Sequence, residues 1–203
     1  MLTVSADASA VEASLSSRRL RCPGCAGRLA PWGHGRARII RDDGQLRWRL
    51  RPRRARCPVC GATHVLLPAS CLLRRADAAG VIGAALEAAG TGWGHRRVAV
   101  LLARPASTVR GWLRRSNARA GPLRHTFTAL AVELDPAPVM PDPAGSALGD
   151  AVAAILLAAS AVRARWPESM VTVSAWHITS AVASGRLLAP TLPTEWINTS
   201  RLW

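Results

Sequence analysis

Apolar residues in the middle of the chain recur at helical spacing. Ala76 to Ala89 carries Val81, Ile82, Ala85, Leu86 and Ala89 on one side, then Gly90 and Gly92 stop the pattern. A shorter helix is expected from His95 to Ala103 with Val98, Leu101 and Leu102 inward, and "RPAS" reads as a tight turn. A third helix over Thr108–Arg119 places Val109, Trp112 and Leu113 on its apolar face. Further on, Leu148, Val152, Ile155, Leu156, Ala159, Val162 and Trp166 form a wide stripe that must be covered, either by this chain's core or by a second copy. Another helix is expected over Ala175–Ser184, ending at Gly185.

Earlier in the chain the period changes to two. "RARII" and "QLRWRLRPR" flank "RDDG", an Asp-Gly turn between two strands, which predicts a hairpin. On its second strand Arg47, Arg49, Arg51 and Arg53 alternate with Trp48, Leu50 and Pro52, putting guanidinium groups on one face. Pro52 argues for an edge or frayed end there. Residues 1–17 are small, polar and acidic and read as a disordered tail, and 121–145 as a proline-rich linker, densest from Asp135 to Ala144. The divisions are therefore tail 1–17, a cysteine-bearing module 18–68, a three-helix unit 72–120, linker 121–145 and a C-terminal helical segment 146–203.

Charge sharpens this picture. The formal net charge is +15, carried by 27 arginines and no lysine. Between Arg18 and Arg119 stand 22 arginines against four acids, whereas the rest holds five arginines and eight acids. A genome-wide arginine bias would spread evenly; this concentration points to a polyanion, foremost nucleic acid. The longest uncharged apolar run, Ala151–Val162, is short of the roughly 20 residues a membrane span needs, and nothing near the start resembles a secretory signal. A cytoplasmic, nucleoid-associated protein without membrane contact is the expectation.

Cys22, Cys25, Cys57 and Cys60 form two CPxC pairs separated by 31 residues. Each CxxC turn points two sulfurs at one spot, and two such turns brought together make a tetrahedral tetrathiolate site. A redox CxxC stands alone at a helix start, which this does not resemble. Iron in a rubredoxin-like site uses the same turns, but a basic hairpin without an electron-transfer surface favours Zn²⁺. Such a module of about 50 residues would draw much of its folding free energy from the metal. Cys71 reads as a small buried residue, and His34 and His64 as incidental. The fold class expected is mainly α with a small β zinc ribbon: a ribbon hairpin, a three-helix unit of the helix-turn-helix kind and a C-terminal helical segment.

"GTGWGHRRVAVLLARPASTVRGWLRR" resembles the homeodomain-like helix-turn-helix units of bacterial transposases and resolvases, through Ser107, Thr108, Val109, Trp112, Leu113, Arg114 and Arg115. Pro105 departs from that pattern, standing where such units place a serine or threonine cap. Independently of the resemblance, burying Val109, Trp112 and Leu113 leaves a free helix face of a width that fits a major groove. Ser107, Thr108 and Arg110 would read base edges; Arg114, Arg115 and Arg119 would meet phosphates, with Arg96 and Arg97 on the flank and Gly111 permitting close approach. Ribbon plus helix-turn-helix together resemble the N-terminal DNA-binding region of insertion-sequence transposases, and more closely short helix-turn-helix proteins of high-GC bacteria ending in "GRLLAP"-like text, here Gly185 to Pro190. The resemblance implies double-stranded DNA as partner, at a transposon end or an operator.

No catalytic site can be assembled. The acids after Arg124 (Glu133, Asp135, Asp142, Asp150, Glu168 and Glu195) cluster at the linker or stand alone, and neither a phosphate loop nor an activated nucleophile is present. Besides duplex binding, two other roles fit: a zinc-dependent scaffold recruiting a recombinase or polymerase through the C-terminal helix, and single-stranded RNA binding through Trp48 and the arginine face. The stripe over 148–166 is the candidate homodimer interface.

Overall fold

The computed structural model describes residues 1–170 and 172–189. Residues 1–17, expected as a disordered tail, carry regular structure. Strand β1 (Leu2–Val4) and helix α1 (Ala8–Ser16) cover the cysteine module, with Leu2, Val4, Val11 and Leu15 buried. Asp7 caps α1 by accepting from the Ser9 amide at 2.9 Å. The strand's partner lies more than 60 residues away, a pairing that no local pattern announces.

The module's other strands are β2 (Ala30–His34), β3 (Arg38–Arg41), β4 (Arg47–Leu50), β5 (Arg53–Arg56) and β6 (Thr63–Pro68). Four form one sheet in the order β1-β6-β5-β2, with β1 parallel to β6 and the rest antiparallel. The expected hairpin is β3–β4, with Ile39 opposite Arg49 and Ile40 opposite Trp48. Its turn uses the acidic pair as local acceptors: Asp42 receives the Asp43 amide and Asp43 the Gly44 amide, and Gly44 adopts φ +55°. The hairpin is a separate two-stranded sheet, because the strand breaks at Pro52 and resumes as β5 in the larger sheet. Arg53 therefore does not continue the arginine face of Arg47, Arg49 and Arg51.

Helices α2 (Ala79–Gly90), α3 (His95–Leu101) and α4 (Ala106–Asn117) occupy the expected middle region. Leu101, expected inward, is 57% exposed; Val98, Ala99 and Leu102 fill that side instead. The linker is half helix: α5 (Ala120–Leu134) buries Leu123, Thr126, Phe127, Leu130 and Ala131. Pro122 sits in its first turn, where a missing N–H costs nothing. Within 121–145, only the stretch from Asp135 to Gly145 lacks regular structure, apart from bends.

Helix α6 (Ala147–Arg165), capped by Ser146 accepting from Gly149 N, packs along α5 and also meets α2 and the later α8 (Ala175–Val182); a short α7 (Pro167–Met170) joins them. By length and hydropathy α6 could cross a membrane, but Leu148, Val152, Ile155, Ala159 and Val162 are buried within this chain. The stripe proposed as a dimer interface is thus covered internally, with Leu156 left 38% exposed. Helix α8 locks in through Trp176, whose ring occupies the place a side chain at Gly83 would take: a Cβ there would lie 2.0 Å from the indole. The Trp176 indole N–H donates to Glu87 at 2.5 Å, and the Ser180 hydroxyl donates to the carbonyl of buried Cys71. Of the C-terminal segment, residues 190–203, including Pro190 and Glu195, lie outside the described residues.

Two cores result. The smaller joins Leu2, Val4, Val11 and Leu15 to Cys22, Leu29, Ala55, Cys57 and Leu66. The larger is helical but takes in Ile40 and Leu50 of the hairpin. Strand β6 divides them, Leu66 facing one and Leu67 the other.

Candidate metal centre and basic face

The two CPxC turns are alike in backbone. The Cys22 amide donates to Gly27 O at 2.8 Å and the Ala26 amide to Cys22 O; Cys57 N donates to Ala62 O at 2.8 Å and Gly61 N to Cys57 O. The residue after each second cysteine is left-handed, φ +57° at Ala26 and +73° at Gly61. Gly27 is required by space, since a Cβ there would stand 3.0 Å from Cys57 Sγ and 2.9 Å from Val59. What joins the turns is not the β3–β4 hairpin but the pairing of β2 with β5, where Ala30 faces Arg56 just before Cys57.

The four sulfurs all lie within 4.8 Å of one another, Cys22 Sγ 3.7 Å from Cys60 Sγ and Cys25 Sγ 3.4 Å from Cys57 Sγ. A tetrahedral site with bonds of about 2.3 Å to sulfur has S···S edges of about 3.8 Å, so the donor set fits one thiophilic ion. The cysteines are free thiols, two buried and two exposed. The Cys57 thiol is held down to about 7, first by the Cys60 backbone amide donating to it. Cys25, although the Gly27 amide favours its thiolate, is pushed up to about 12 by the crowding Cys57 and Cys60 sulfurs. Such crowding is what a shared cation relieves.

His64 is not incidental. It is buried on β6, with Nε2 3.4 Å from Cys22 Sγ, the position of an outer donor that orients a thiolate. Its period-two placement two residues before buried Leu66 was the available signal. His34 is exposed at the far end of β2, opposite Arg53.

The arginines divide into free and engaged. Arg47, Arg49 and Arg51 are exposed, as are Arg96, Ser107, Arg110 and Arg114, while Thr108 is half-buried. Arg110 and Arg114 border an open groove with Trp93, His95, Asn117 and Ser146. Arg97 stacks over Trp93, 3.5 Å from the ring centroid, and remains exposed. Three expected contacts fall elsewhere. Arg53 binds Glu12 of α1 as a bidentate pair, its Nε and Nη2 donating at 2.5 and 3.0 Å. Arg115 folds back to donate to Gly111 O at 2.8 Å, so the room left by Gly111 is filled by that guanidinium, whose Nη1 would be 3.0 Å from a Cβ there. Arg119 is buried and donates to the carbonyls of Arg186, Leu187 and Ala189, tying the C-terminal segment down.

A further buried arginine sets the geometry of this face. Arg104, in the turn between α3 and α4, donates to Asp77 Oδ1 at 2.7 Å, to Asp42 O at 2.5 Å and to Gly44 O at 3.2 Å in the hairpin turn, and to Leu102 O at 3.0 Å. Asp77 also receives Arg41 of β3 at 3.0 and 2.7 Å. The hairpin is therefore bolted to the α3–α4 turn by one carboxylate and two guanidinium groups. Trp48 is engaged as well: half-buried against the helical core, it donates to Asp42 Oδ2 at 3.2 Å.

No protein-family model, curated protein or solved structure matches the chain significantly.

Proposed function

We propose that the chain is a zinc-containing, sequence-specific binder of double-stranded DNA in which the cysteine module is a zinc ribbon and α3–turn–α4 a helix-turn-helix. It would act at transposon ends or at an operator and carry no catalytic domain. Zn²⁺ held by Cys22, Cys25, Cys57 and Cys60 would supply folding free energy rather than chemistry, since a site closed by four thiolates has no open position.

The observation that carries the reading is the exposed face of α4. Ser107 and Arg110 stand early on it and Arg114 a turn later, while Val109, Trp112 and Leu113 hold the opposite face in the core. Arg104 fixes the hairpin carrying Arg47, Arg49 and Arg51 against the same turn, so basic groups on two elements keep one mutual orientation. Base reading falls to Ser107 and Arg110, and phosphate contact to Arg96, Arg97, Arg114 and the hairpin. The likeness of "STVRGWLRR" to transposase and resolvase helices supports the same assignment. Recruitment of a recombinase through the α6 stripe is disfavoured, because that stripe is buried.

Selection of binding sites from random duplexes followed by mobility shifts over a salt series tests the reading. The expected result is an enriched motif and an affinity that falls steeply with salt through counterion release. Salt-independent binding, or no enrichment, would refute it.

A further inference from the structure

The solvent-facing side of the β2–β5–β6 sheet is absorbed by neither the metal centre nor the duplex reading. Ala55, His64 and Leu66 point inward, so Arg54, Arg56, Thr63 and Val65 point out, with Arg54 opposite Val65 and Arg56 opposite Thr63. Trp32 joins them from β2, where the register is irregular between Pro31 and His34. Its indole is 48% exposed, with the Arg56 guanidinium 4.8 Å from the ring centroid. Val65, across β5 on β6, is 37% exposed. Neither Arg54 nor Arg56 has a carboxylate partner among the described residues; Arg53, which pairs with Glu12 of α1, lies on the opposite face of β5.

We infer that this face is a second nucleic-acid surface, a platform for single-stranded nucleic acid on which a base stacks against Trp32 while Arg54 and Arg56 take the flanking phosphates. An exposed indole stacks on any base, and a neighbouring pair of unpaired guanidinium groups supplies the complementary charge. Three strands spaced about 4.8 Å apart give a nearly flat surface roughly 10 Å across, shaped for splayed bases rather than for a duplex groove. A fully polar face would serve phosphates alone; the large exposed indole is what selects an unpaired base. Thr63 and Val65 extend the floor on the far side of Arg54 and Arg56.

The test is fluorescence anisotropy with labelled dT20, rU20 and a duplex carrying the selected motif, on the full chain at low salt. Wild type is expected to bind both single strands, Trp32→Ala to lose about fivefold or more, and Trp32→Phe to keep most of the affinity. Arg54→Ala with Arg56→Ala should make the single-strand salt slope shallower by about 1.4 on a log–log plot. Duplex binding should stay as in wild type for all of these, whereas Arg110→Ala should impair the duplex alone, so either surface can fail without the other. Equal affinity for the two strands fits stacking without sugar readout, and tighter rU20 binding identifies RNA as the natural strand. Failure of wild type to bind either single strand, or a Trp32→Ala protein that binds like wild type, would overturn the inference.

Discussion

Asp77 is the keystone that the geometry makes most testable. Its side chain is 3% exposed and that of Arg104 5%, and it receives both Arg104 and Arg41. Replacing it with alanine strips Arg104 of its counter-ion while the guanidinium stays buried, held by the carbonyls of Asp42, Gly44 and Leu102. An uncompensated buried charge of this kind costs about 3–5 kcal/mol, a large share of the roughly 5–15 kcal/mol that holds a domain folded. Arg104→Met should cost less, because Asp77 keeps Arg41, and Arg41→Met least, because that side chain is 38% exposed and well hydrated. Urea denaturation of the three variants and of the Asp77→Ala/Arg104→Met double variant gives the ranking and a coupling expected to exceed about 1 kcal/mol. A loss below about 1 kcal/mol for Asp77→Ala, or a larger loss for Arg41→Met than for Arg104→Met, would refute the bolt and with it the fixed orientation of the hairpin.

Other expectations follow from equally local features. Gly83→Ala should destabilise by about 1–3 kcal/mol because Trp176 occupies the space, although alanine is the better helix former, while Gly80→Ala on the same helix, with nothing within 4 Å, should be neutral or stabilising by up to about 1 kcal/mol; thermal melts of the pair decide it. Gly27→Ala should lower metal affinity through its crowding of Cys57 Sγ, read by competition with a chromophoric chelator. Arg110→Ala should flatten sequence preference by about 1–3 kcal/mol at one base position, whereas Arg114→Ala should weaken all duplexes alike, as mobility shifts on single-base variants will show.

The parts legible in the sequence were those written in local spacing. The CPxC pairs, the "RDDG" turn and the Val109, Trp112, Leu113 face each depend on residues within a few positions, and the sulfurs and helix face stand where the spacing puts them. Long-range pairing was not legible. Strand β1 is held by β6, and α1 by burial of Val11 and Leu15 against the cysteine module, which composition alone cannot register. Helix α5 was masked by Gly121 and Pro122 at its start, although Leu123, Phe127 and Leu130 carried helical spacing. Local spacing does not decide what an arginine does. The same side chain serves as a free cation at Arg110 and as a buried carbonyl clamp at Arg104 and Arg119, and only the tertiary neighbours separate the two. His64 fell between both cases, since its role depends on a sulfur 42 positions earlier.

The central claim is that one metal ion closes the four-sulfur site and thereby holds the ribbon together. Elemental analysis of the purified chain, paired with circular dichroism before and after Cys22→Ser and Cys57→Ser, tests it directly. The account predicts one zinc per chain, lost in both variants together with the ribbon's folded structure. A metal-free wild type whose fold is unchanged by replacing those cysteines would contradict it.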